Sequence, residues 1–252
     1  MATAKLKLKS SKCSLCQRSV DFHGHVVSAD GIAMQPAKIS VITEWPPCKN
    51  VHDVRAFMGL TGYYRRFVQN FSVIATRLYG LTKKDVEFKW TDECQRAMDE
   101  LKNRMVSQPI LALPISEGRY LLDTDASDFG LGAVLSQEQD GCERVIAYAS
   151  RTLNKAERKY ETTQKELLAI VYGLKQYKQY LLGRHFVIRT DHAALSRLRR
   201  TAEPMPQLER WLTFIEQFDY ETLHRPGTQH GNADGLSRRP IEPSDDDHSG
   251  FG

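Results

Sequence analysis

Residues 120–137 read YLLDTDASDFGLGAVLSQ, and the fold turns on them. Tyr120, Leu121 and Leu122 form an apolar run that meets acids at Asp123 and Asp125. A glycine-rich turn follows, then the second apolar run Ala133–Val134–Leu135. Short apolar runs separated by turn residues predict two strands, at 119–125 and 131–137. Toward the C-terminus the pattern predicts a strand at 143–149, a long helix at 155–182 and a strand at 185–191. Short helices near 193–199 and 205–218, a strand at 219–225 and a terminal helix near 232–238 complete it. Three strands, a long helix, and then strands alternating with helices make a mixed α/β sheet flanked by helices.

Toward the N-terminus the texture changes at Pro109, which puts a boundary near 110–118. A second helix at 92–106 enters at Thr91, a plausible N-cap, and turns Ala97, Met98, Leu101 and Met105 inward. Before it, residues 50–81 carry Val54, Phe57, Met58, Leu60, Tyr63, Tyr64 and Phe67 at helical spacing, interrupted by Gly59 and Gly62. Arg65 and Arg66 sit beside the two tyrosines. Basic residues among aromatics suit a nucleic-acid backbone, and they equally mark the edge of an amphipathic helix. Residues 36–45 predict a short helix between Pro36 and Pro46–Pro47, and residues 20–31 a hairpin turned at Asp30–Gly31.

The 252 residues are 41% hydrophobic, enough for a real core, and carry +4 overall. Four acids in the last twelve residues, with no Lys or Arg, leave residues 1–240 at +8. A basic body suits a polyanion through counterion release. Charge alone is equally met by a soluble protein that happens to be basic. Five cysteines, no signal peptide and no run of 18 apolar residues imply a reduced, intracellular setting without a membrane. Cys13 and Cys16 with His23 and His25 lack the usual zinc spacing and read as ordinary residues.

Four carboxylates carry the chemistry. Cutting a phosphodiester with water needs an activated nucleophile and charge stabilisation, which two metal ions about 3.5–4 Å apart supply through hard oxygen ligands. Asp125 ends an apolar strand, and Asp123 on the same face is its rival. Glu166 borders the stripe Leu167, Ile170, Val171, Leu174; Asp191 ends the run HFVIRTD; Asp234 opens the terminal helix. Each alone is commonplace at a strand end or on a helix. The order, strand Asp, helix Glu, strand Asp, helix Asp, gives them force.

TDASDFGLGAVLSQ, YASRTLNKAERKYETTQKELLAIVYGLK, RTDHAAL and HRPGTQHGNADGLSR together resemble the RNase H domain of gypsy-class long-terminal-repeat retrotransposon Pol polyproteins. KCSLCQRSVDFHGHVVSADGI resembles the end of the reverse-transcriptase palm with its primer-gripping hairpin. VRAFMGLTGYYRRFVQNFSVIATRLYGLTKK with FKWTDECQRAMDELKNRM resembles the thumb and connection. The resemblance implies an RNase H-like mixed sheet at 113–240, a helical thumb/connection at 48–112 and a palm end at 1–47, while the acidic, polar composition after Pro240 predicts a disordered tail at 241–252. It implies that Asp125, Glu166, Asp191 and Asp234 hold two Mg²⁺ (or Mn²⁺) ions and cut the RNA strand of an RNA–DNA hybrid. Tyr64, Arg65, Arg66, Lys83 and Arg151 are then the expected nucleic-acid contacts.

Two departures qualify this. Only eight positions separate Pro226 from Asp234, so the histidine loop of cellular RNases H looks truncated. His230 is a candidate for assisting product release, against the plainer reading of a solvent-exposed loop histidine. Phe22–His23–Gly24–His25 also carries a histidine where the family has leucine. No Tyr-x-Asp-Asp turn occurs, so polymerisation is not expected. The chain reads as a C-terminal fragment whose tail leads toward an integrase, placed in a cytoplasmic particle or the nucleus. The alternatives are a catalytically inactive nucleic-acid-binding remnant, or a subunit of a palm-containing reverse transcriptase.

Overall fold

Tyr120, Leu122 and Thr124 point to one face of their strand, Leu121, Asp123 and Asp125 to the other, and helices are layered on both sides. The computed structural model describes residues 9, 13, 15–190 and 206–224. Strands β4 (Tyr120–Ala126), β5 (Gly130–Gln139) and β6 (Cys142–Thr152) form an antiparallel meander. Helix α6 (Thr162–Gln176) then crosses over, so β7 (His185–Thr190) joins β4 in parallel. Strand β8 (Asp219–His224) adds beyond it, in the order β6-β5-β4-β7-β8. On the Tyr120–Leu122 face, α6 and α8 (Pro206–Ile215) bury Leu167, Ile170, Leu174, Leu208 and Trp211. Full burial is worth about 1.5–3 kcal/mol for each such aliphatic side chain. Gly173 lets α6 approach closely: a Cβ there would lie 3.2–3.3 Å from Leu122, Thr124 and Ala133.

The first half covers the opposite face. It comprises β1 (Ser19–Phe22), β2 (His25–Ser28), β3 (Gly31–Met34), α1 (Pro36–Thr43), α2 (Val51–Tyr63), α3 (Phe71–Ile74), α4 (Thr76–Leu81) and α5 (Asp92–Val106). Its core, around Phe57, Phe67, Leu78, Met98 and Leu101, takes in Val134, Val145 and Tyr148 from the sheet. Leu111 bridges to Ile32 of β3, and the next residue, Ala112, donates to the Val145 carbonyl of β6 at 2.8 Å. None of the described helices is long and apolar enough to cross a membrane.

Several expectations change. The helix expected at 155–182 is three pieces: a 3-10 turn at Glu157–Lys159, α6, and α7 (Lys178–Leu181). Tyr160 is extended, and Glu161 and Gln164 cap each other to restart the helix. The helical stretch 50–81 also breaks, into α2, a 3-10 turn at Arg65–Phe67, α3 and α4. Asn70 there is left-handed, at φ 55°. The hairpin is a three-stranded meander, because His23 and Gly24 (φ 49° and 77°) make a second turn ahead of the expected one. The helices expected near 193–199 and 232–238 lie outside the described residues.

Segment 70–73 docks on β5 through glycines. A Cβ at Gly130 would stand 2.8 Å from Val73 Cγ2 and 3.0 Å from the Arg151 carbonyl oxygen. Gly130→Ala is therefore expected to cost about 1–3 kcal/mol by overpacking. Gly59, exposed within α2 with nothing near its missing Cβ, should accept alanine with a gain of about 0.5–1 kcal/mol. Denaturant titration of both variants checks the pair, and equal effects would sink the docking account.

Candidate functional site

Asp125 is the penultimate residue of β4, exposed, and paired across the ladder with Gly132. Its side chain makes no hydrogen bond or ion pair among the described residues. The absence of a Cβ at Gly132 opens a recess shared by Asp125, Gln69 and Asn70; a Cβ there would meet Asn70 Oδ1 at 2.9 Å. Sequence reasoning missed both amides, because a contact from the helical layer onto β5 leaves no local signal.

Its rival, Asp123, is buried. The Asp123 carboxylate pairs with Arg189 on β7, whose Nη1 donates to Glu143 Oε2 at 2.7 Å. Burial alone would pull the Arg189 guanidinium down, but hydrogen bonds and charge from Glu143 and Asp123 hold it well above its ordinary value. The two acids two residues apart therefore have different fates. Asp123 is committed to an internal ion pair, while Asp125 is presented to solvent.

Glu166 is half-buried near the start of α6. Beside it Lys165, itself buried, reaches Asp128 in the β4–β5 turn at 2.7 Å. That hydrogen bond and the lysine charge hold the Asp128 carboxyl below its usual range. The contact clamps the first turns of α6 to the end of the sheet that carries Asp125. Strand β7 ends at Thr190, one residue before Asp191. Asp191, Asp234 and His230 lie outside the described residues. Among the described residues no group of three or more His, Cys, Asp or Glu is placed to hold a metal.

The expected nucleic-acid contacts divide. Tyr64 is a correction: it is 1% exposed, and its hydroxyl donates to the Gly24 carbonyl at 2.9 Å. The exposed ring is that of Tyr63. Arg65 is exposed, and half-buried Arg66 donates to the Ile146 carbonyl at 3.4 Å. Arg151 is held by Glu157 through two bonds of 2.7 and 2.9 Å, which depress the Glu157 carboxyl. Lys83 is exposed beyond α4.

His25 of the meander stacks on Tyr63 and Phe67 at 5.4 and 5.6 Å and meets Tyr64 edge-on. Burial, then Arg66 and His23, push its imidazole below the ordinary 6.5. The unfolded chain then binds the proton more readily, so stability falls as pH drops below 6.5 through the folded value. Acidification from about pH 7.5 to about 5.5 should lower the Tm, and His25→Phe, which keeps the stack, should blunt that drop. An identical pH dependence in the variant would remove His25 from the account.

The family described as an RNase H-like domain found in reverse transcriptase matches residues 90–188, from just before α5 into β7. The Retrovirus-related Pol polyprotein from transposon 297 of Drosophila melanogaster is 40% identical over 243 residues, 96% of this chain and 23% of that protein. The corresponding polyprotein from transposon opus is 35% identical over 95% of this chain and 25% of its own length. The Transposon Tf2-3 polyprotein of Schizosaccharomyces pombe is 35% identical over 99% and 19%. The chain thus spans about a fifth to a quarter of the curated relatives it matches. Among solved structures, a foamy viral protease-reverse transcriptase in complex with dsDNA superposes with a TM-score of 0.72 at 22% identity, covering 86% of this chain and 47% of that one. The same protein in complex with RNA/DNA hybrid gives 0.70 at 20% identity, covering 96% and 33%. At these identities the likeness shows the fold.

Proposed function

We propose that the chain is part of a retrotransposon Pol polyprotein with an RNase H-like domain of the reverse-transcriptase kind, and that it cuts the RNA strand of RNA–DNA hybrids; the family match over residues 90–188 and the similarity to Pol polyproteins support this. The observation that carries this reading is Asp125. It is an exposed acid, unpaired among the described residues, at the end of a strand whose preceding five residues are all buried. Asp123, by contrast, is buried and paired with Arg189, so of the two acids only Asp125 is presented where an ion from solvent could reach it.

Asp125 and Glu166, joined by Asp191 and Asp234, are the proposed ligands of two Mg²⁺ or Mn²⁺ ions. The described members of this donor set, Asp125 near the end of β4 and Glu166 in the part of α6 that Lys165–Asp128 ties to the β4–β5 turn, are carboxylates of the kind a hard divalent ion takes. Bound there, such ions would supply an activated water and charge neutralisation at the scissile phosphate. The chain's own residues hold the acids in place. Lys165–Asp128 fixes the α6 end, and Arg189–Asp123 fixes β7 against β4 two residues before Asp125. Arg65, Arg66 and Lys83 are proposed to add salt-dependent affinity for the hybrid's phosphates, and Arg151, neutralised by Glu157, to add little. A foamy viral relative in fold has been seen with an RNA/DNA hybrid, which supports that partner. We assign residues 113–240 to the nuclease, 48–112 to a thumb/connection layer, 1–47 to a palm end and 241–252 to an acidic tail.

The test is incubation of the chain with Mg²⁺ and a hybrid labelled on each strand, beside RNA-only and DNA-only duplexes. Cutting confined to the RNA strand of the hybrid is expected. Cutting of every substrate, or of none, would overturn the reading.

A further inference from the structure

A cleft of about 450 Å³ opens between the helical layer and β6, the edge strand of the sheet. Arg65 and Arg66 line one wall, Arg151 of β6 the floor, and Tyr172 and Tyr180 of α6 and α7 the other side. Tyr63 stands at the rim, 53% exposed, with one ring face stacked on His25. Among the described residues none of those lining the cleft is acidic. Glu157 neutralises Arg151, whereas Arg65 and Arg66 form no salt bridge among the described residues. The Nε of Arg66 is buried without a hydrogen-bond partner. Burial raises the Tyr172 phenol while Arg65 and then Arg151 pull it back, so both cations bear on that ring. The Arg151 guanidinium lies over it at 5.6 Å. The side-chain amides of Gln176 and Gln179 complete the lining.

We propose that this cleft binds single-stranded nucleic acid, holding one or two unpaired nucleotides beside the hybrid. It deepens the nucleic-acid reading of the preceding subsection and rests on it. Two guanidiniums without a salt bridge among the described residues call for phosphodiester groups. An exposed aromatic face and free amides call for bases whose faces and edges are open, which a duplex does not offer. The volume falls in the range of about 300–1,000 Å³ that encloses small ligands, far below a duplex. Phosphates sit on Arg65 and Arg66, and a base packs on the exposed part of the Tyr63 ring, which His25 and Tyr64 hold from within.

The test is fluorescence anisotropy of the whole chain with divalent metal chelated, so that nothing is cut. The probes are an oligo-dT of about ten nucleotides, a blunt hybrid, and the same hybrid with a single-stranded overhang. Oligo-dT should bind, and the overhang should tighten hybrid binding about tenfold. Tyr63→Ala should lose most of that gain and Tyr63→Phe should keep it, although phenylalanine forfeits the 2.7 Å bond from the tyrosine hydroxyl to the His23 carbonyl. Arg65→Gln should flatten the dependence of log affinity on log salt by about 0.7. Equal losses in Tyr63→Phe and Tyr63→Ala would make the ring structural and overturn the proposal. So would an overhang that adds nothing to a hybrid that is bound and, with Mg²⁺, cut; the nuclease reading would then stand alone. Oligo-dT binding through Tyr63 with no cleavage of any hybrid would uphold the cleft and overturn the nuclease. Binding of oligo-glutamate in place of oligo-dT would assign the cleft to an acidic peptide and overturn the proposal.

Discussion

Asp125→Asn is expected to abolish cleavage of the hybrid's RNA strand while leaving the fold intact. The side chain is exposed and makes no hydrogen bond or ion pair among the described residues, so its stability should stay within about 0.5 kcal/mol of wild type. The amide keeps the shape of the carboxylate and removes its charge, the property that a hard divalent cation needs. The rate should fall by at least about 10²–10³-fold, the scale on which losing one charge-stabilising group acts. Rate and thermal melting are measured on the same preparation. Unchanged cleavage with an unchanged melt would remove Asp125 from the site and reopen the question of where the hydrolytic centre lies. Asp123→Asn separates the two acids in the opposite sense, because it should cost stability first: Asp123 is 5% exposed and paired with Arg189.

Arg189→Leu is expected to be the most destabilising of the variants considered, by about 3–5 kcal/mol. The Asp123 and Glu143 side chains are 7% and 10% exposed, and the Arg189 side chain 11%. Removing this cation takes the guanidinium away from two desolvated carboxylates. The added restoring changes Asp123→Asn and Glu143→Gln should recover much of the loss, since a neutral polar group costs less to bury than an unpaired charge. Equilibrium denaturation of the single and triple variants measures both effects. A single variant as stable as wild type would mean that the triad contributes nothing to holding β4, β6 and β7 together. Because Arg189 and Asp123 precede Asp191 and Asp125 by two residues each, a loosened β4–β7 pair should also depress cleavage more than the loss of folded protein explains.

Much of the sheet was legible. The strands expected at 119–125, 131–137, 143–149, 185–191 and 219–225 appear within a few residues of their places, because alternation and turn glycines are local signals. Thr91 caps α5 as its side chain suggests, accepting from the Cys94 amide at 3.4 Å. Helix lengths were less legible. A continuous apolar stripe across 155–182 conceals the restart at Glu161 and the break at Tyr177, whose buried hydroxyl donates to the Ala147 carbonyl at 2.9 Å. At the site, the position of Asp125 could be read from sequence. The Lys165–Asp128 clamp, 37 residues apart, could not.

What the sequence by itself determined is therefore the inventory: which segments are strands and helices, where they turn, and which strand delivers an acid at its end. These follow from side-chain period and backbone preference, properties of a residue and its nearest neighbours. Only the tertiary structure decided which of two adjacent tyrosines is buried and which of two aspartates is paired. It also decided that Arg151 is neutralised and that Arg65 and Arg66 are left facing a cleft. Each of these depends on desolvation and on a partner brought in from another element. Those free energies arise only when the layers close on the sheet, and no window of local sequence contains them.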